Sequence, residues 1–206
     1  MMTECENIIN LLKTLDINSR HDAWEVSSIL RKHGYNDIEV ADGASKICLI
    51  FPNTSFVVKW STCGYEEAMR EVEVYQKAID AHLEKFFPKT TFLVKLNDVN
   101  FVMQEKIDVT VNNLDFYARQ RFQKISKTAL DKIVYKMERQ FKKAARYCRR
   151  DLDPVWAKMA LVLYGKKTCK ALCDFIIENK INDLHESNIG YKNNRPIILD
   201  FSGYNR

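Results

Sequence analysis

Apolar positions recur at helical spacing at the start of the chain. Ile8, Ile9, Leu11, Leu12 and Leu15 form one turn pattern, and Trp24, Val26, Ile29 and Leu30 supply the apolar face of a second. Asp22, with Glu25 three residues on, has the form of a capping box, and Gly34 stands where the second helix should stop. Residues 2–33 therefore read as two short helices, a scaffold without a chemical motif. The pattern changes at residue 36. Ile38-Glu39-Val40, ICLIF and FVVKW read as strands, separated by the turn ADGASK and the turn Pro52-Asn53-Thr54-Ser55. Helical spacing returns over 65–84, where Ala68, Val72, Tyr75, Ile79 and Leu83 form one stripe. Beyond Pro88, TFLVKLNDVNFVMQEKI reads as a hairpin turning at Asn97-Asp98.

Residues 108–180 read as helix-rich. Phe122, Ile125, Leu130, Ile133, Val134, Met137, Phe141 and Tyr147 are helically spaced within a basic stretch, and Asp153-Pro154 restarts a helix. Trp156, Met159, Leu161, Val162, Leu163 and Tyr164 are expected to be buried, and Gly165 interrupts. Leu172, Phe175, Ile176 and Ile177 follow. The class is α+β.

Composition adds bounds. A length of 206 residues suits one large domain or two small lobes. Apolar content of 46% and charged content of 29% are those of a soluble globular protein. No run approaches the roughly 18 apolar residues of a membrane span, and no secretory leader opens the chain. The six cysteines form no CxxC pair and no zinc spacing, which points to a reducing cytoplasm. Cys169 and Cys173, one turn apart, are expected on one packed helix face. The net charge of +5 is uneven: from Arg119 to Arg150 there are twelve Lys/Arg against Asp131 and Glu138. Such a segment is either a solvated face or a surface for an anionic partner.

The chemistry concentrates in INDLHESNIGYKNNRPIILDFSGYNR, Ile181 to Arg206. Asp183 is followed by Asn188, and Asp200 closes the apolar run PIILD. One carboxylate to accept a hydroxyl proton, with an amide and a second carboxylate to hold Mg²⁺, is what phosphoryl transfer needs. D-L-H-x-x-N followed by L-D-F resembles the catalytic and metal-binding loops of the protein kinase-like superfamily. The resemblance is to the branch that includes aminoglycoside, choline and lipopolysaccharide kinases. It implies Asp183 as catalytic base, and Asn188 and Asp200 as Mg²⁺ ligands, with Asn188 serving the catalytic loop as well.

The resemblance extends upstream and covers about residues 36–206. It implies a two-lobed kinase-like fold: a helical extension over 1–35, a small antiparallel-sheet N-lobe over 36–107, and a truncated, mostly helical C-lobe over 108–206. Ala41–Lys46 would be the nucleotide-covering loop, with Gly43 alone keeping its place in the three-glycine pattern. Lys46 either touches phosphate or is solvated. Lys59, ending an apolar strand, would contact the phosphates of ATP and pair with a helix glutamate, Glu71 or else Glu67. Gln104, Glu105 and Lys106 would form the hinge whose backbone bonds adenine, with Met103 behind the base.

Departures from the family are visible too. Ile181-Asn182 replaces His-Arg before the aspartate, so control by a phosphorylated activation loop is not expected. His185 stands where protein kinases have lysine, as a phosphate donor or as a structural histidine. Ser202 replaces the glycine after Asp200-Phe201. The sequence ends six residues past Asp200, without an activation segment or peptide platform, and so reads as a minimal core. Three functions fit: an ATP- and Mg²⁺-dependent phosphotransferase acting on an unidentified, possibly anionic hydroxyl acceptor; a weakly catalytic, pseudokinase-like ATP-binding module working through a protein partner; or a basic nucleic-acid binder. Few aromatics interleave the basic stretch, which disfavours the last.

Overall fold

A computed structural model describes residues 4–43, 45–62, 66–107, 139, 154–181, 184, 188–193 and 195–202. Asp183, His185 and, apart from Arg139, the basic segment from 119 to 150 lie outside the described residues.

Among the described residues, four α-helices and seven strands form an α+β structure: α1 (Glu4–Leu15), α2 (Ala23–Lys32), β1 (Glu39–Asp42), β2 (Lys46–Ile50), β3 (Phe56–Ser61), α3 (Glu67–Asp80), β4 (Thr90–Leu96), β5 (Val99–Glu105), α4 (Pro154–Glu178), β6 (Ile189–Lys192) and β7 (Arg195–Ile198). A short 3₁₀ turn, Glu84–Phe86, follows α3. β1 to β5 make one antiparallel sheet in the order β1-β2-β3-β5-β4, and β6 and β7 make a separate hairpin. Among the described residues, no helix is long and apolar enough to cross a membrane.

The chain divides into two compact units, residues 1–75 with 89–106, and residues 76–88 with 107–206. Helices α1 and α2 fall in the same unit as the five-stranded sheet. Ile8, Leu12, Leu15, Val26 and Leu30 share one core with Ile47, Leu49, Val58, Trp60, Val99 and Phe101. Strand periodicity explains the arrangement, because alternate residues face opposite sides. Ile47 and Leu49 lie opposite Trp60 and Val58, and these residues turn toward the core shared with α1 and α2. Trp60 and Phe101 rings meet there at 5.3 Å. The other face carries Lys46, Cys48, Lys59, Ser61, Val102 and Gln104. Hairpin tip residues tie back to the loop after α1: Asn97 Nδ2 donates to Asp16 Oδ1, and the Ser19 hydroxyl donates to Asp98.

The capping box at the start of α2 is present, Asp22 accepting from the Glu25 amide and Glu25 from the Asp22 amide. Trp24, by contrast, is 76% exposed, so it does not belong to the apolar face of α2. It sits two positions from Val26, about 200° around the helix from the buried stripe.

Helices α2, α3 and α4 end in the same motif. Tyr35 N–H donates to Leu30 O, Leu83 N–H to Ala78 O, and Ile181 N–H to Ile176 O, each after a residue at positive φ: Gly34, His82 and Lys180. Only the first uses glycine. The second therefore stops α3 at Asp80, short of the expected 84.

In the second unit, α4 is interrupted at Gly165, whose φ of 77° and ψ of 167° are not helical. Trp156 Nε1 donates to Ile197 O on β7 at 3.2 Å. Phe87 packs against Phe175 and edge-on to Phe201, and Phe86 meets Tyr164 at 4.6 Å. Val162, Leu163 and Tyr164 are half-buried rather than buried. Cys169 and Cys173 share one buried face, as their spacing implies.

Candidate functional site

The first unit builds its polar centre around one carboxylate. Glu71 is fully buried on α3. Lys46 Nζ lies 2.8 Å from its Oε1, and Lys59 Nζ lies 3.5 Å from its Oε2. Gln104 Nε2 donates to the same Oε2 at 3.0 Å and to Thr90 Oγ1 at 3.1 Å. A carboxylate taken fully out of water costs several kcal/mol unless it is paired and hydrogen-bonded. Here two ammonium groups and an amide meet that need.

The register explains why they meet. Lys46 pairs with Ser61, Cys48 with Lys59, and Gln104 with both Val57 and Thr90, so all these side chains belong to one sheet face. Ser61 Oγ accepts from the Ala68 amide at 2.8 Å and so caps the start of α3. That cap holds the helix over the face that carries the lysines. The buried stripe of α3 is Ala68, Glu71, Val74 and Ala78, while Ile79 is exposed and Val72 and Tyr75 are half-buried. The expected stripe through Val72 and Ile79 is thus rotated by about one position, bringing Glu71 from its flank to its centre.

Cys48, on the same face, has its thiol pushed up to about 11 by burial, an effect that Lys59 opposes and Glu71 reinforces. It is a packing residue and not a nucleophile at neutral pH.

Other expected ligand-binding positions are occupied by the protein itself. The Gly43 amide donates to Lys46 O at 2.9 Å, and the Ser45 hydroxyl donates to Glu67, closing the β1–β2 turn. Gln104 spends its side chain on Glu71 and Thr90. The Glu105 amide donates to Lys89 O and the Lys106 amide to Ser55 O, both at 2.8 Å. Those two amides thus bond to carbonyls just ahead of β4 and β3. Glu67, the alternative partner for Lys59, serves Ser45 instead.

In the second unit the β6–β7 hairpin sets the backbone of Asn188 opposite Leu199, the residue before Asp200. Ile189 pairs with Ile198, and Leu199 N–H donates to Asn188 O at 2.8 Å, so Asn188 and Asp200 flank the open end. Both are half-buried, and Ser202 Oγ donates to Asp200 Oδ1 at 3.2 Å. Gly190 lets this end close: a Cβ there would stand 3.1 Å from Leu199 Cδ1 and 3.3 Å from Ile107 Cγ2. Ile181 and Leu184 are buried, while Asp183 lies outside the described residues. Among the described residues no three His, Cys, Asp or Glu side chains gather as a metal centre. An amide oxygen and a carboxylate are nonetheless hard donors of the kind Mg²⁺ takes, with water and phosphate oxygens completing its shell.

The inward role of the Gln104 side chain and the part of Thr90 were not expected from the sequence. A signal existed: Gln104 directly follows the apolar run Phe101-Val102-Met103, and a buried amide there must find a partner. No family model matches the chain, and a search of curated proteins finds no significant match.

Proposed function

We propose that the protein is an ATP- and Mg²⁺-dependent phosphotransferase of two-lobed, kinase-like build, moving the γ-phosphate to the hydroxyl of a protein or small-molecule acceptor. The observation that carries the reading is the pair of Lys59 on β3 and buried Glu71 on α3 beside a five-stranded antiparallel sheet. The hairpin register that sets Asn188 opposite Leu199, one residue before Asp200, adds support. Lys59 would bind nonbridging phosphate oxygens, its ammonium steered by Glu71. Asn188 and Asp200 would hold Mg²⁺, which when bound neutralises charge on the phosphates. Asp183 would take the proton of the acceptor hydroxyl as that oxygen bonds to the γ-phosphorus. The bond from phosphorus to the ADP oxygen breaks, and ADP leaves with the electron pair. The basic stretch from 119 to 150 would favour an anionic acceptor.

One observation favours a second reading, a weakly catalytic nucleotide-binding module that acts through a protein partner. The Gly43 amide is already engaged within its own turn, which leaves the glycine loop fewer donors for phosphate. Turnover separates the two. ATP hydrolysis or transfer lost in Asp183→Asn supports the enzyme. Mg²⁺-dependent ATP binding with no turnover supports the module, and no binding at all sinks both.

A further inference from the structure

Glu71 holds two lysines, and they are not equivalent. Lys46 sits at 2.8 Å on Oε1, while Lys59 sits at 3.5 Å on Oε2, an oxygen it shares with Gln104. Lys46 is also tied into the turn between β1 and β2. Its carbonyl accepts the Gly43 amide, and the Ser45 carbonyl beside it accepts the Thr62 amide. Its strand partner is Ser61, the residue that caps α3 through the Ala68 amide. One strand pair therefore fixes Lys46 and the helix that carries Glu71 in a single frame.

A lone lysine facing Glu71 would be in conflict once an anion arrived. Turning toward phosphate, it would divide its donors between the anion and a buried carboxylate that needs a full set of partners. A second lysine removes that conflict. We propose that Lys46 is a positioning residue: it keeps the Glu71 carboxylate seated and neutralised while Lys59 engages the triphosphate. This rests on the phosphotransferase reading of the site. Lys46 then acts on the nucleotide through Glu71 and does not touch phosphate.

The test is a pair of double-mutant cycles on the full chain. In urea unfolding without nucleotide, Lys46→Met and Glu71→Gln should couple at least tenfold more strongly in the folding constant than Lys59→Met and Glu71→Gln. Equal or reversed couplings overturn the assignment. In titrations with Mg·ATP, Lys46→Met should weaken binding about tenfold in the wild-type background and less than twofold in the Glu71→Gln background. Lys59→Met should weaken it in both. The charge-keeping Lys46→Arg guards against loss of folding and should restore most of the affinity. An equal loss from Lys46→Met in both backgrounds means direct phosphate contact and overturns the positioning role alone. No binding of Mg·ATP by the wild-type protein overturns the phosphotransferase reading, and the nucleotide role of Lys46 with it.

Discussion

Gln104 Nε2 donates to Glu71 Oε2 at 3.0 Å, and both residues are buried. The bond joins β5 to α3 across 33 positions of sequence. Replacing Gln104 by Met keeps the volume and deletes the donor that serves both Glu71 Oε2 and Thr90 Oγ1, leaving Oε2 with Lys59. A hydrogen bond to a charged group contributes about 1.5–3 kcal/mol. Gln104→Met is expected to cost about 2 kcal/mol, read as a lower urea midpoint at unchanged slope. No change in midpoint would show the amide to be dispensable.

Two buried thiols set a limit on stability at high pH. Burial pushes Cys169 and Cys173 up to about 12 from an ordinary 9.0. Above pH 9 the unfolded chain releases these protons while the folded chain keeps them. Their contribution is therefore intact below pH 9 and is lost as pH rises toward 12. The slope is up to about 1.4 kcal/mol per pH unit for each thiol. Denaturant melts from pH 8 to 11 should show the decline, and the Cys169→Ala, Cys173→Ala double variant should flatten it.

At Gly190 an added methyl meets Leu199 and Ile107 at 3.1 and 3.3 Å. Gly190→Ala is expected to cost about 1 kcal/mol, because overfilling a packed site forces its neighbours aside. Leu199 precedes Asp200, so under the proposed function the same variant should weaken Mg²⁺-dependent nucleotide binding severalfold. A variant that is destabilised but binds normally would separate the packing of the hairpin from metal binding.

If the proposed function holds, Mg·ATP is expected to raise the melting temperature of the wild-type protein, since binding stabilises only the form that binds, and Asp200→Ala is expected to abolish that rise. Asp183→Asn should keep that rise and lose turnover by about two to four powers of ten, the usual weight of a positioned general base. Calorimetry with and without EDTA checks the first, and radiolabelled phosphate transfer the second.

His82 stops α3 at a φ of 57°, a conformation that costs a side-chain-bearing residue about 1 kcal/mol. His82 is exposed, so His82→Gly loses little packing. A gain of about 0.5 kcal/mol is expected, part of the relief being offset by glycine's freedom in the unfolded chain. Thermal melts at fixed pH check it.

Much of the fold was legible because local signals were strong. Asp22 with Glu25 marked the start of α2, and Gly34 marked its end. Alternation gave β2 and β3, and Asn97-Asp98 the turn between β4 and β5. The end of α3 was not legible, since a histidine there carries no stop signal. The rotation of its buried stripe was hidden too, because a glutamate at a buried position looks polar until its cations are placed. The pairing of Lys59 with Glu71 was what the family resemblance implied, with Glu67 as the alternative. The nearer partner, Lys46, was not implied: it looked like a loop residue until the strand register set it diagonally across from Lys59. Trp24 misled because its size suggested burial, while its position on the helix put it in solvent.

Glu71 draws its three charged or polar partners from three different strands, β2, β3 and β5. A partly assembled sheet lacking any one of them would strand a desolvated charge. Half-built forms of the first unit are therefore penalised, and the unit should melt as an all-or-none body. Native-state amide exchange should show β2, β3, β5 and the first turns of α3 opening together.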